Sequence, residues 1–324
     1  MYQAVDLGAS RHATAITAGS SHVCALLDDH TVKCWGGNAY GQLGLGDTNA
    51  RGDAPGEMGD ALPIVQLGSG RHAMAIAAMK GVGGFDMSFS TCALLDDQTV
   101  KCWGENNHGQ LGLGDTDARG DGPGEMGDSL PVVPLGSDRH AVQLSVGGSF
   151  ACAILDDGTI KCWGFNRGGV LGLGDMDDRG DEPGEMGDAL PAIDFGATSE
   201  VSFVVAGPHH ACARFTDHAL RCWGSNFTGQ LGLEDNVDRG HVSRDLSSVI
   251  VNVGSARYPI AMCGGGSLYV VGGRTCAVLD NHQLKCWGDN DLEALALDLP
   301  SGEHLGDEAG EMGDALPYVE LSSF

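Results

Sequence analysis

The chain has 324 residues, of which 42% are hydrophobic, 6% are aromatic and 52 are glycines. Its 44 acidic residues against 18 basic ones give a formal charge of −26, which opposes a phosphate backbone, so we expect no nucleic-acid partner. No apolar run approaches the roughly 18 residues of a membrane span, and the composition predicts a turn-rich globular chain rather than a disordered one. The acidity suits either salty surroundings or a basic partner.

One pattern recurs five times along the chain. It first reads VCALLDDHTVKCWGGNAYGQLGLG from Val23, and the second copy carries eight extra residues within Met79–Ser90, where we expect a glycine-rich loop. Spacings of 68, 60, 60 and 64 residues between copies suit propeller blades of about four strands with one long connection. We therefore predict a single repeat domain over residues 1–324, with units centred on Trp35, Trp103, Trp163, Trp223 and Trp287.

A short apolar run precedes each hairpin. Such near-continuous apolar segments, bounded by glycines, predict an inner strand that is buried on both faces. The runs are Ala15–Ala18, Ile76–Ala78, Leu144–Val146, Phe203–Ala206 and Leu268–Val271.

The middle of each copy predicts a β-hairpin with a tight polar turn such as Asp156–Gly158. Counting inward from Cys152 and Cys162 meets at Asp157, so the two cysteines should lie directly opposite each other, with Cβ atoms roughly 4.5 to 5.5 Å apart. This spacing is near what a disulfide requires. The same offset recurs in the pairs Cys24/Cys34, Cys92/Cys102, Cys152/Cys162, Cys212/Cys222 and Cys276/Cys286.

The cysteine usage bears on the compartment. Both members of each pair are kept in all five copies, which favours disulfides and a secreted or other oxidising location over reduced, buried thiols in a cytosol. The first residues lack the basic start and apolar core of a signal peptide, so either the chain is a mature form or the oxidising inference fails. Cys263 is unpaired, and a free thiol, a link to another chain and a buried, inert thiol are all open.

Each CWG signature is followed by a turn with a fixed asparagine, which we expect to close the turn through its side chain. These asparagines are Asn38, Asn106, Asn166, Asn226 and Asn290, and Asn226 also begins the one glycosylation sequon. The residues between the fixed points differ from copy to copy. Aromatic and arginine side chains there predict partner contacts at Tyr40, Phe165, Arg167 and Phe227, against the alternative of ordinary exposed turn residues.

Long acidic connections follow, such as GDTNARGDAPGEMGDALP from Gly46. Carboxylates among glycines suit Ca²⁺, although their order is not that of an EF-hand loop. The favoured alternative is that Arg51, Arg119 and Arg179 pair with these carboxylates, that the loop packs on the next blade and that the RGD tripeptides are structural turns. The calcium candidates are Asp47, Asp53, Glu57, Asp60, Asp115, Asp121, Glu125, Asp128, Asp175, Asp181, Glu185 and Asp188. A β-like run then follows, as at Ile64–Leu67, Val132–Leu135 and Tyr318–Leu321.

The sequence W-G-x-N-x-x-G-Q-L-G after a hairpin, with G-x-x-H before it at Gly19–His22 and Gly207–His210, resembles the RCC1 (regulator of chromosome condensation) repeat. The cysteine-paired hairpin CALLDDHTVKCWG is similar to secreted-type members of the RCC1-like group, which includes the bacterial β-lactamase inhibitor propeller. The resemblance implies an all-β propeller, and because the family usually has seven blades, five units imply an incomplete or open one. The G-x-x-H histidine is Ser90, Phe150 and Arg274 in the other units.

The resemblance is compatible with several functions, so the function must be inferred from the residues of this chain. Candidate catalytic histidines such as His12, His72 and His140 are repeat-equivalent, whereas catalysis normally uses a singular constellation. We therefore predict a non-enzymatic protein-binding or structural module without a cofactor. The alternatives are an enzyme with its site in the propeller mouth and a guanine nucleotide exchange factor of the RCC1 type.

Overall fold

The computed structural model describes residues 4–81, 88–196, 199–242, 245–266 and 272–320. Over these residues the chain forms five three-stranded antiparallel sheets, and within each sheet the strands lie side by side in chain order. The strands are β1 Ala13–Ala18, β2 His22–Leu27, β3 Val32–Gly36, β4 Ala73–Ala78, β5 Ser90–Leu95, β6 Val100–Gly104, β7 Ala141–Val146, β8 Phe150–Leu155, β9 Ile160–Gly164, β10 Val201–Ala206, β11 His210–Phe215, β12 Leu220–Gly224, β13 Pro259–Gly266, β14 Gly273–Leu279 and β15 Leu284–Gly288. Short 3₁₀ turns occur at Gly59–Ala61, Gly127–Ser129, Arg167–Gly169, Asp245–Ser248 and Asp291–Glu293.

The second and third strands of each sheet are the predicted hairpin. Cys24 pairs directly with Cys34, with their Cα atoms 4.1 Å apart, and a disulfide joins them. The same register and a disulfide recur in the other four hairpins. The predicted cysteine register is therefore confirmed.

The first strand of each sheet differs from the prediction. It lies where expected in the first four repeats, but it is not buried on both faces: Ile16 in β1 is 69% exposed, and only the ends of β4 are buried. Met74 in β4 is exposed as well, whereas β10 buries Val201, Val204 and Ala206. In the fifth repeat the first strand is Pro259–Gly266, and the expected run Leu268–Val271 lies outside the described residues.

The run after each acidic connection lies beside the hairpin but forms no strand. Val65 donates one backbone hydrogen bond to Val32 at 2.8 Å, and Val133 donates one to Val100 at 2.8 Å. A single bond does not extend a ladder, so each predicted fourth strand is instead an extended segment against a three-stranded sheet. The C-terminal part of the run Tyr318–Leu321 and residues 82–87 of the inserted loop lie outside the described residues.

The chain divides into two compact units. The first comprises residues 1–81, 88–144 and 178–190, and the second comprises residues 82–87, 145–177 and 191–324. The core of the first unit packs Trp103 among Leu43, Val65, Leu95 and Leu130. The second unit has one core around Trp223 and another around Trp287.

Within the described part of the chain, no helix has the length and apolar character that a membrane crossing would require.

Candidate functional site: the turns after the hairpins

The fixed asparagine closes each turn from inside the protein. Asn38 is 2% exposed, its Oδ1 accepts from the Leu43 backbone N–H at 2.9 Å, and its amide donates to the Asp47 carbonyl at 2.7 Å. The same two kinds of bond recur at Asn106, Asn166, Asn226 and Asn290. The predicted structural role is therefore observed in every repeat.

Asn226 is fully buried in this arrangement. Its amide nitrogen donates to the Asp235 carbonyl at 2.6 Å, and its oxygen accepts from Leu231. A glycan on that nitrogen requires the turn to open, so the folded chain does not suit modification of the sequon.

In the first, third and fourth turns, the tryptophan of the next repeat holds the turn. Trp103 donates its indole N–H to the Gln42 carbonyl at 3.0 Å, and the Thr91 hydroxyl donates to the same oxygen at 3.0 Å. Trp287 bonds the Gln230 carbonyl at 3.1 Å, and Trp223 bonds the Val170 carbonyl at 2.7 Å. The CWG tryptophan is thus a link between repeats as well as a core residue.

The acidic connection of the next repeat holds the turn from another side. Gly46 donates its backbone N–H to the Gly120 carbonyl at 3.0 Å, and a Cβ placed on Gly41 lies only 2.3 Å from the Asp121 backbone nitrogen. Equivalent backbone bonds join Gly114 to Gly180, Gly174 to Gly240 and Glu234 to Gly306. The connection therefore packs on the preceding repeat, not on the next one as predicted, and in these copies the RGD tripeptide belongs to a structural turn.

Arginines hold the first carboxylate of the connections. Arg51 bonds Asp47 at 2.7 Å, and Arg119 bonds Asp115 at 2.7 Å. Partial burial raises the pKa of Asp47, but the Arg51 guanidinium and the Asn49 backbone N–H outweigh it, so the pKa lies below its usual value. In the fourth repeat Arg239 bonds Asp235 at 2.6 Å.

Backbone N–H groups hold the glutamates. Glu57 accepts from Gly52 at 2.8 Å and from Ala54 at 3.1 Å, and these bonds lower its pKa. Glu125 and Glu185 occupy equivalent positions and accept equivalent pairs of bonds. Asp53, Asp121 and Asp181 lie in the same loops. Burial, followed by the hydrogen bond to Glu125 and its charge, raises the pKa of Asp121.

The last aspartate of each connection caps a neighbouring turn. Asp60 accepts from the Ala9 backbone N–H at 2.9 Å, while Asp128 accepts from the backbone N–H and hydroxyl of Ser69. Asp188 makes the same two bonds with Ser137. Over the described ranges no three His, Cys, Asp or Glu side chains form a group suited to a metal ion. The predicted pairing of arginine with carboxylate is observed for Arg51 with Asp47 and for Arg119 with Asp115.

The tips of the turns carry the candidate contacts. In the first unit Tyr40 is 39% exposed and stacks on Phe89, with ring centroids 5.2 Å apart and planes 9° from parallel. In the second unit Phe227 is 61% exposed, whereas Phe165 and Arg167 are half-buried in the third turn. Each of the two compact units therefore presents an aromatic side chain at a turn tip.

Sequence reasoning missed the groups beside Tyr40. Glu105 is 8% exposed, and it accepts hydrogen bonds from the Phe89 backbone N–H at 3.2 Å and the Asn107 amide at 2.7 Å. Burial raises the pKa of Glu105 despite these bonds. The second turn also brings His108 within 3.1 Å of Asp178. Glu105, Asn107 and His108 occupy turn-tip positions that vary between copies. This variation is the sequence signal that could have identified them.

The G-x-x-H histidines lie in the interior and join repeats. His22 Nε2 lies 2.7 Å from the Thr91 hydroxyl, and His210 Nε2 lies 2.9 Å from the Thr275 hydroxyl. Burial lowers the pKa of His22 to about 4 and, together with the charge of neighbouring His209, that of His210 to about 3. Both imidazoles are therefore neutral structural groups near pH 7.

The comparisons with known proteins identify the repeats. Two family models, both described as Regulator of chromosome condensation (RCC1) repeat, match residues 13–42, 141–169 and 201–230 and residues 99–154. The chain is 27% identical over 304 residues to the Ultraviolet-B receptor UVR8 of Arabidopsis thaliana, covering 80% of this chain and 64% of that protein. It is 26% identical over 225 residues to the human E3 ubiquitin-protein ligase HERC2, covering 67% of this chain and 4% of that protein. The chain thus spans less than two thirds of either relative.

Solved structures agree on the fold. Human WBSCR16 superposes with a TM-score of 0.65 at 16% identity, covering 96% of this chain and 68% of that one. Prp20p of Saccharomyces cerevisiae, whose structure was described together with its binding properties to Gsp1p and histones, gives a TM-score of 0.63 at 20% identity, covering 95% of this chain and 65% of that one. These likenesses concern the fold alone.

Proposed function

Because this chain is an RCC1-like repeat propeller, we propose that it is a non-enzymatic protein-binding module of a secreted or other oxidising compartment. The partner is a protein or a larger assembly that contacts the tips of the turns after the hairpins. Structural neighbours with protein partners, such as Prp20p with Gsp1p and histones, support a binding role for this fold.

One observation carries the proposal: the turn frameworks are the same, while their tips differ. Asn38 and Asn226 make the same pair of bonds in the first and fourth turns, yet these turns display Tyr40 and Phe227. A rigid frame that presents different side chains is how loop-based binding surfaces achieve specificity. Exposed aromatic residues are frequent interface anchors.

The charge of the chain indicates the character of the partner. A formal charge of −26 steers basic surfaces towards the molecule and repels acidic ones. We accordingly expect a partner with a basic face and an association rate that falls as salt is added.

Two features support the oxidising compartment. Five disulfides form at equivalent positions, and Cys24, Cys34, Cys92 and Cys102 are fully buried. Disulfides that recur at the same place in every repeat are typical of proteins that fold outside a reducing cytosol.

A pull-down from a native extract tests the binding surface. The variant replaces Tyr40, Phe165, Arg167 and Phe227 with alanine, and the control variant replaces Met176 and Val237, which are 59% and 54% exposed in the connections rather than at the tips. We expect the four-residue variant to lose partners that the control retains. Equal recovery of every partner by both folded variants would remove the turn tips from consideration.

A further inference from the structure

Three cysteines occupy one row across the fifth sheet. Cys263 on β13 is the direct partner of Cys276 on β14, and Cys276 is the direct partner of Cys286 on β15. A disulfide joins the latter two. In the first, second and fourth sheets the position of Cys263 is taken by Thr17, Ala77 and Val205, respectively. Among these four sheets, therefore, only the fifth places a third cysteine beside its disulfide.

The surroundings of this row are also distinct. Cys263 is an exposed, free cysteine. Cys276 is partly exposed, whereas its counterparts Cys24, Cys92 and Cys212 are fully buried. A thiolate reaches a disulfide only where both are accessible, and here both are.

The spacing across the row suits a second disulfide. The Cα atoms of Cys276 and Cys286 are 4.1 Å apart, which is the close approach of a non-hydrogen-bonded pair. Because such pairs alternate across antiparallel strands, Cys263 and Cys276 form a hydrogen-bonded pair, with Cα atoms about 5.5 Å apart. A disulfide normally spans about 4.4 to 6.8 Å between Cα atoms.

We propose that Cys263 makes the fifth sheet a thiol–disulfide exchange site. The Cys263 thiolate attacks the sulfur of Cys276 to form a Cys263–Cys276 disulfide, while the Cys276–Cys286 bond breaks and Cys286 leaves as a thiolate that takes up a proton. The exchange conserves electrons and needs no external oxidant. Since Cys263 and Cys286 lie on opposite sides of Cys276, the leaving sulfur is opposite the attacking one.

The exchange moves the disulfide of the fifth sheet from the β14–β15 pair to the β13–β14 pair. It ties β13 to β14 and releases β15, where Trp287 follows Cys286 and donates to the Gln230 carbonyl of the preceding repeat. Of the alternatives that the sequence left open for Cys263, the free thiol is observed, and the buried thiol is wrong because the side chain is exposed. Only the strand register shows that Cys263 faces Cys276.

Matched cysteine variants test the geometry. Cys286→Ser leaves Cys263 and Cys276 unpaired, and we expect them to join, so that the oxidised protein has no free thiol. Cys222→Ser removes the equivalent cysteine of the fourth sheet, where Val205 stands opposite Cys212, so this control should show two free thiols, at Cys212 and Cys263. Two free thiols in folded Cys286→Ser would overturn the proposal.

The wild-type protein tests the exchange without a folding risk. It is held at about pH 8.5 to form thiolate, quenched with acid, alkylated with N-ethylmaleimide and mapped without reduction. We expect some molecules to carry the alkyl group on Cys286 together with a Cys263–Cys276 link, and Cys263→Ser to abolish both signals. Alkylation of Cys263 alone, at every time and pH sampled, would overturn exchange even if Cys286→Ser closes the new disulfide.

Discussion

The interior position of the G-x-x-H histidine holds different side chains in different repeats while the backbone around it stays the same. A Cβ placed on Gly207 meets the His210 ring, and one placed on Gly147 meets the Phe150 ring, at 2.2 and 2.1 Å respectively. Histidine and phenylalanine therefore occupy the same site against a glycine in neighbouring repeats. The imidazole adds a hydrogen bond to the next repeat, and with it a titratable group in the interior.

We expect the protein to lose stability on acidification through His22. In the unfolded chain its imidazole titrates near 6.5, whereas in the folded chain its pKa is about 4. The folded state thus resists a proton that the unfolded state accepts, so stability is full above pH 6.5 and falls as the pH drops towards 4. By pH 4.5 the protonation of this one group lowers the free energy of unfolding by about 2.5 kcal/mol.

Urea unfolding at pH 7.5 and pH 4.5, for wild type and His22→Phe, checks this expectation. Phenylalanine is the residue that the third repeat uses at the equivalent position, so the variant should fold and show a smaller difference between the two pH values. An unchanged difference would assign the acid sensitivity to other groups.

At the scale of the elements, the turn of one repeat and the acidic connection of the next form a close backbone contact. A Cβ placed on Gly109 lies 2.3 Å from the Asp181 backbone nitrogen, whereas one placed on Gly124 meets nothing within 4 Å. Both glycines have positive φ, at +69° and +82°. The two sites therefore share a backbone cost and differ only in packing.

Gly109→Ala is expected to destabilise the protein by about 3 kcal/mol or more, and Gly124→Ala by only about 1 kcal/mol. The smaller value is the cost of placing alanine at positive φ, and the excess at Gly109 comes from a backbone clash that no rotamer relieves. Denaturant unfolding of the two variants measures the difference. Equal losses would mean that the contact between repeats is looser than described.

Removal of calcium should leave the acidic connections intact. Because Asp47 is held by Arg51, and Glu57 by two backbone N–H groups, these loops need no metal to neutralise them. The melting temperature should be nearly the same with and without EDTA. A fall of several degrees, reversed by added calcium, would revive the calcium hypothesis.

At the scale of the whole molecule, charge repulsion is the dominant electrostatic property. The chain holds 44 acidic and 18 basic residues, so most carboxylates lack a cation of their own, and the compact state brings them together. Paired charges such as Arg51 and Asp47 lose strength in salt as well, but they are the minority. Because salt weakens the repulsion among carboxylates more than it weakens the few ion pairs, added salt should stabilise the folded state.

We therefore expect the melting temperature to rise by a few degrees between about 10 mM and 200 mM NaCl, a range over which the Debye length falls from roughly 30 Å to below 8 Å. Thermal denaturation across a NaCl series measures the effect, with sucrose as an uncharged control. A melting temperature that falls with salt would show that the ion pairs outweigh the repulsion.

Much of the fold follows from the sequence because it depends on local periodicity. The hairpin register follows from counting between Cys152 and Cys162, and the closing of the turn follows from an asparagine at a fixed place among glycines. Both are short-range properties that depend on backbone geometry over a few residues, and the same pattern occurs in all five copies.

Other features depended on partners distant in the chain. The inner strands looked buried because their residues are apolar, but burial depends on what packs against each face. The runs at Ile64–Leu67 and Val132–Leu135 looked like strands, but a strand needs a ladder, and each makes one bond to its hairpin.

The sequence by itself determined the repeat, its hairpins, its disulfides and its asparagine turns. Only the tertiary structure decided that the acidic connections pack on the preceding turn, that Glu105 lies beside the Tyr40–Phe89 stack, and that Cys263 faces Cys276. The physical reason is sequence separation. Gly41 contacts Asp121, and Tyr40 contacts Phe89, across tens of residues through the packing of neighbouring repeats. No local sequence pattern specifies which backbone or side chain a residue contacts in the neighbouring repeat.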